Sequence, residues 1–169
     1  MMVLASGCGG AAGDKRYPLP EYYPTPTFRD AFKYSTDTFT GCPDLQQKVP
    51  DLPSPLQKEN NKHGVGISLT CTFVGEGGLD ERFITFHGEV RGFTHNPGLF
   101  SGSEKDTTVN IGSDARWRPA GTDSMCTLEV LDENAFMVTG FRDEDPQSER
   151  CRESAREIAR KIYAAVQPE

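Results

Sequence analysis

From Val65 to Phe73, every odd position is apolar or cysteine (Val65, Ile67, Leu69, Cys71, Phe73), while Gly66, Ser68, Thr70 and Thr72 fill the even ones. A period of two sends successive side chains to opposite faces, so the run predicts a strand with one buried face. Gly75 to Asp80 reads as a turn, after which Ile84, Phe86 and Val90 alternate with Thr85, His87 and Glu89. Two adjacent alternating runs of this kind predict an antiparallel hairpin. Beyond a loop holding Asn96-Pro97-Gly98, the pattern resumes at Thr107, Val109 and Ile111, and again over Arg116 to Arg118 around Trp117. Cys126, Leu128 and Val130 predict a further strand, Asp132-Glu133-Asn134 a turn, and Ala135 to Phe141 the last strand.

The period then changes. Cys151, Ala155, Ile158, Ala159, Ile162 and Val166 recur at threes and fours, with Pro168 beyond them, which predicts an amphipathic helix. Asp145 before Pro146 reads as its N-cap, and Asp143 to Asp145 place negative charge where the helix dipole favours it. From that start the helix would run for roughly five to six turns. On its polar side Glu149 is spaced to meet Arg152, Glu153 to meet Arg156, and Glu157 to meet Arg160 and Lys161, which reads as a solvated face. A short helix is expected over Asp44 to Val49, after Cys42-Pro43, and irregular chain from Pro50 to Asn61. The fold class is α+β: an antiparallel sheet of about five to six strands, with the long C-terminal helix and the short N-terminal helix packed on one face. No internal repeat is visible.

A length of 169 residues suits one domain. With 25 acidic against 18 basic residues the formal charge is −7, so a phosphate backbone is repelled and no nucleic-acid partner is expected. No stretch approaches the 18 or so apolar residues that a membrane span requires. The chain divides into a leader at 1–8, a Gly- and Pro-rich tether at 9–27 with Tyr17, Tyr22 and Tyr23, and a single domain at 28–169.

Five cysteines are an odd number, and a chain that uses disulfides leaves one over. Leu4-Ala5-Ser6-Gly7-Cys8 resembles the lipobox of bacterial lipoproteins, in which a peptidase cuts before a cysteine that is then acylated. Small residues suit the extended passage of the cleavage site through a narrow groove. Seven residues cannot hold a charged region and an apolar region of about 7 to 15 residues, so more signal sequence is expected upstream of Met1. Omitting any one of five cysteines and pairing the other four in three ways gives fifteen patterns. Lipidation of Cys8 reduces these to three. Cys71 and Cys126 share parity with buried positions, and Cys151 lies on the apolar stripe of the last helix. A sheet cysteine facing a helix cysteine favours Cys126 with Cys151, and so Cys42 with Cys71. Such bridges imply an oxidising compartment; four buried reduced thiols in a cytosolic protein are the competing reading.

Candidate chemistry is sparse. His63, His87 and His95 are the three histidines, and none has helical HxxxH or HExxH spacing. No CxxC marks a zinc site, and Asp143, Glu144 and Asp145 lack the spacing of a calcium loop. Gly102-Ser103 and Gly112-Ser113 lack the second glycine of a serine-nucleophile elbow, Gly75-Glu76-Gly77-Gly78 joins strands, and Trp117 reads as core. No catalytic residue, metal ligand or cofactor is therefore assigned.

Taken in order, Gly41-Cys42-Pro43 before a short helix, Thr70-Cys71-Thr72-Phe73, Ile111-Gly112-Ser113-Asp114-Ala115 before Trp117, Cys126-Thr127-Leu128-Glu129-Val130 and Cys151 on a final helix resemble the actinobacterial envelope lipoproteins of a domain-of-unknown-function family, family 3558. The resemblance spans about residues 28 to 168, with Phe73 where that family often has Trp. It implies a disulfide-bonded α+β domain similar to the Mog1/PsbP-like fold, anchored outside the cytoplasm through lipid on Cys8, and it brings no catalytic residues. The expected function is non-enzymatic binding, including an envelope protein partner. Two alternatives stand beside it: an envelope hydrolase or metal-dependent enzyme using His87, His95 and acidic loop residues, and a small-molecule carrier with a cavity between sheet and helix.

Overall fold

The computed structural model describes residues 32–56, 59–63, 66–76, 82–92, 98 and 100–168, with the backbone alone for 59–63, 66 and 67. Cys8, the tether at 9–27 and His95 lie outside the described residues. Along the chain run α1 (Cys42–Lys48), β1 (Ser54–Pro55), β2 (Glu59–His63), β3 (Gly66–Val74), β4 (Phe83–Arg91), β5 (Glu104–Lys105), β6 (Asp114–Trp117), β7 (Met125–Asp132), β8 (Ala135–Arg142) and α2 (Glu149–Ala165). All strands pair antiparallel in one sheet of order β1-β3-β4-β8-β7-β6-β5. β2 pairs with β3 alongside its Gly66–Thr70 portion, while β1 pairs with Phe73 and Val74, so the two share one edge of that strand.

Register follows from the alternation. Cys71 pairs with Phe86 and Phe73 with Ile84; Phe86 pairs with Thr139, which pairs with Leu128. One row of side chains across four strands thus belongs to one face, and that face carries the main core with Leu69, Val130, Met137 and the stripe Ala155, Ile158, Ala159 and Ile162 of α2. Both helices lie here, each tied to the sheet by a disulfide: Cys42 of α1 to Cys71 of β3, with Cα atoms 5.6 Å apart, and Cys126 of β7 to Cys151 of α2, at 6.1 Å. In the chain-entropy account, closing loops of 29 and 25 residues stabilises the fold by about 3 to 4 kcal/mol each. Phe39 lies across the core face at Gly88, where an added Cβ would stand 2.7 Å from its ring, and meets Phe86 edge-on at 5.6 Å.

The other face is covered in part. Leu131, Phe136 and Val138 form a small second cluster with Phe100, whose ring meets Phe136 edge-on at 5.8 Å. The Phe100–Gly102 segment therefore closes over β7 and β8, and β7 is buried at nearly every position rather than alternately.

Four local expectations change. Thr107 to Ile111 form no strand, because the Asp106 carboxylate draws the chain into a turn: its Oδ1 accepts from the backbone N–H groups of Thr108 (2.7 Å) and Val109 (2.8 Å). A short polar side chain that bonds local amides competes with ladder formation, and Asn110 and Gly112 follow with φ of 60° and 67°. The helix N-cap is Ser148 and not Asp145, since Ser148 Oγ accepts from the N–H of Cys151, while Asp145 caps Gln147 in the preceding turn. This gives α2 17 residues, just under five turns. The stretch expected to be irregular from Pro50 to Asn61 contains β1 and most of β2. Finally, the polar side of α2 is not uniformly solvated: Arg156 is buried, Arg152 pairs with Glu104 rather than Glu149, and Arg160 pairs with Glu153.

Candidate binding cleft

The outer face of β7 places Glu129 between Thr127 and Leu131, and the Phe100–Gly102 segment buries it completely. A carboxylate in that position must be matched by donors or it is prohibitively unfavourable. Four donors meet it. Oε2 accepts from the N–H groups of Ser101 (2.9 Å) and Gly102 (3.0 Å), and Oε1 accepts from Nε (3.0 Å) and Nη2 (2.7 Å) of Arg118. Gly102 is required by close approach: an added Cβ would lie 2.1 Å from the carbonyl oxygen of Trp117. Arg118 continues the line of β6, donating its backbone N–H to Thr127. Its side chain remains 44% exposed although its carboxylate partner is at 0%.

Beside it opens a cleft of about 400 Å³, lined by Arg118, Pro119, Met125, Trp117, Glu104 and Arg152 among others. Arg152, from the second turn of α2, sits 5.1 Å from the centroid of the Trp117 ring and forms a forked pair with Glu104 of β5, in which Nη2 lies 2.8 Å from Oε2. Hydrogen bonding to Arg152 holds the exposed Glu104 carboxyl below its ordinary pKa and raises that of Arg152 in return.

The floor of the cleft is fixed from beneath. Trp117 Nε1 donates to Asp106 Oδ2 at 2.7 Å, and Arg156 Nε donates to the same oxygen at 2.7 Å. Arg156 also reaches Glu149 and Glu153. Burial pushes the Asp106 carboxyl upward, but Arg156 and the Thr108 and Val109 amides outweigh it and hold the pKa far below the usual carboxylate range. The indole is thereby locked in place, with a second guanidinium, Arg156, 5.4 Å from its centroid.

A separate network anchors the start of the described chain. Asp132 Oδ2, beside the β7–β8 turn, accepts from Lys33 Nζ (2.5 Å), Tyr34 Oη (2.5 Å) and Tyr163 Oη (2.7 Å). Burial raises the Asp132 pKa, but these donors together bring it below normal; burial and the Asp132 bond raise that of Tyr34. Asn134 clasps the Tyr34 backbone through both ends of its amide.

Of the residues named from the sequence, Trp117, Cys126, Ser103, Pro146 and Arg152 line this cleft, whereas the described candidates for chemistry, His87 and Asp143 to Asp145, do not. His87 lies on the outer face of β4 with Nδ1 3.0 Å from Thr70 Oγ1, and burial lowers its pKa. His63 is in β2. Asp143 accepts from Arg150 and from the N–H of Asp145, a turn-and-pair role. Among the described residues no group of three or more His, Cys, Asp or Glu side chains is placed to hold a metal ion. The sheet–helix interface at Phe86, Val130, Met137 and Ile162 is filled by side chains. Glu129, Arg118, Arg152 and Asp106 were not legible as a set, because an acid within Leu128-Glu129-Val130 looks like any outward strand position until a loop covers it.

These features define a disulfide-tied α+β domain with an arginine-lined cleft at its β5–β6 edge. No protein-family model, curated protein or solved structure matches the chain.

Proposed function

We propose that this protein is a lipid-anchored extracytoplasmic lipoprotein, attached through Cys8, whose domain binds a ligand or an envelope partner at the arginine-lined cleft without catalysing a reaction. One observation carries the reading. Four of the five cysteines are joined in two disulfides, which leaves Cys8, in its lipobox-like setting, as the odd one. Disulfides belong to oxidising compartments, and the resemblance to family 3558 lipoproteins points to the same place. The cleft supports the binding part, because buried Glu129 and Asp106 hold two of its lining side chains, Arg118 and Trp117, in set positions. The test is metabolic labelling with an alkyne-bearing fatty acid, in an actinobacterial host expressing the gene with its upstream codons. Label on the wild type and none on Cys8→Ser is the expected result. Equal labelling of both, or of neither, overturns the anchor.

A further inference from the structure

We propose that the cleft recognises an oxyanion, a carboxylate or phosphate group on a small ligand, held between Arg118 and Arg152, and that Glu104 occupies the Arg152 side of this position in the ligand-free protein. The proposal rests on the reading of the domain as a binding module and names what it binds.

Three observations lead to it. First, Arg118 is oriented rather than loose. Its Nε and Nη2 are engaged by a fully buried carboxylate whose second oxygen is fixed by two backbone amides. A guanidinium carries five N–H groups in a planar fork, so the Glu129 pair leaves the Nη1 end over, and Nη1 has no hydrogen-bond partner among the described residues. The side chain that presents it is 44% exposed and lines the cleft. Second, Arg152 lies against an indole that Asp106 locks, and its exposure is 24%. Stacking on an aromatic face sets a guanidinium plane in advance, which lowers the ordering cost of binding. Third, the group now meeting Arg152 is a carboxylate on an exposed side chain, Glu104 at 57%, reached from a two-residue edge strand. Forked pairing of this kind is the geometry by which arginine takes carboxylates and phosphates. Glu104 therefore shows the chemistry that fits, and its exposure makes it displaceable. A cleft of about 400 Å³ admits a small molecule.

An internal occupant is also a competitor, and this separates the proposal from a purely structural role for the arginines. With the 15N-labelled 169-residue chain, inorganic phosphate and N-acetylglutamate are titrated at constant ionic strength against sodium chloride, with methylguanidinium as a cationic control. The Trp117 indole N–H and the amides of Arg118 and Met125 report on the cleft. Both oxyanions, or either one alone, should shift these signals saturably, and the pattern between the two assigns phosphate or carboxylate. Glu104→Gln should bind about ten-fold tighter and Arg152→Gln at least ten-fold weaker. Neither substitution strips a buried charge of its partner, since Glu104 is exposed and Arg152 pairs with it, and both avoid Arg118, whose loss would strand buried Glu129. No tightening in Glu104→Gln, or shifts no larger than those with chloride, overturns the proposal. Saturable shifts with methylguanidinium alone overturn the oxyanion assignment and leave the cleft as a binding site. Silence toward every probe, with Cys8 labelled, overturns this inference and leaves the anchor standing.

Discussion

Arg156 reaches from α2 to set its Nε 2.7 Å from Oδ2 of Asp106, with the two side chains only 8% and 1% exposed. Removing one partner of a buried pair leaves the other charge uncompensated, which costs about 3 to 5 kcal/mol. Arg156→Gln should therefore lower the urea midpoint sharply, far more than Arg150→Gln, whose partner pair with Asp143 sits on an arginine that is 76% exposed. Equal losses in the two variants would contradict the packing described.

The same pair sets an acid limb. Asp106 has a folded pKa below its ordinary 3.8, so the unfolded chain binds the proton first as pH falls. Its stabilising contribution is full above pH 3.8 and is lost as pH drops below that value toward the folded one. Asp106→Asn, already lacking the charge, should be less stable at pH 7 and show a flatter decline between about pH 4 and pH 2, measured by urea titration at each pH.

His87 gives a window nearer neutrality. Burial lowers its pKa from 6.5, and Arg118 adds to this while Glu89 opposes it. A base with a depressed folded pKa favours unfolding as it protonates. Stability should hold above pH 6.5 and decline as pH falls from there through the folded pKa. In His87→Gln that decline should be absent. An NMR titration of the ring that reads a pKa above 6.5 would reverse the sign.

Peptide mapping without reduction should recover Cys42 linked to Cys71 and Cys126 linked to Cys151. Replacing Cys126 and Cys151 together by alanine should destabilise the fold by about 2 to 4 kcal/mol. A peptide linking Cys42 to Cys126 would refute the arrangement.

Gly88→Ala should cost about 1 to 3 kcal/mol, because the new methyl enters a packed core, where the Phe39 ring stands 2.7 Å from the Cβ position. Adding Phe39→Leu should restore part of the loss, a coupling visible in a double-mutant cycle.

Patterns of period two and of about 3.6 foresaw most of this fold, because burial on one side of a strand is written into alternate residues and on one side of a helix into every third or fourth. Leu69, Cys71 and Phe73, or Ile158 and Ile162, are examples. Where the chain departs from expectation, a polar side chain has often taken over, bonding nearby amides as Asp106 and Ser148 do or reaching a partner distant in sequence as Arg156 and Arg152 do. Asp106 turned Thr107 to Ile111 out of the sheet, and Arg156 followed Asp106 inward across a separation of 50 residues. Periodicity marks which side of an element is apolar, not which charges will meet. The cleft depends on such meetings, Arg118 with Glu129 and Arg152 with Glu104, and so it became visible only in three dimensions.

The two disulfides close covalent rings that neither overlap nor nest, one from 42 to 71 and one from 126 to 151. The first ring holds α1, β1, β2 and most of β3; the second holds most of β7, all of β8 and the first residues of α2. β4 belongs to neither, yet it is the strand inserted between β3 and β8. An oxidised but unfolded chain is thus two knots on a string, each able to gather locally, and the sheet becomes continuous only when the Phe83–Arg91 segment slots between them.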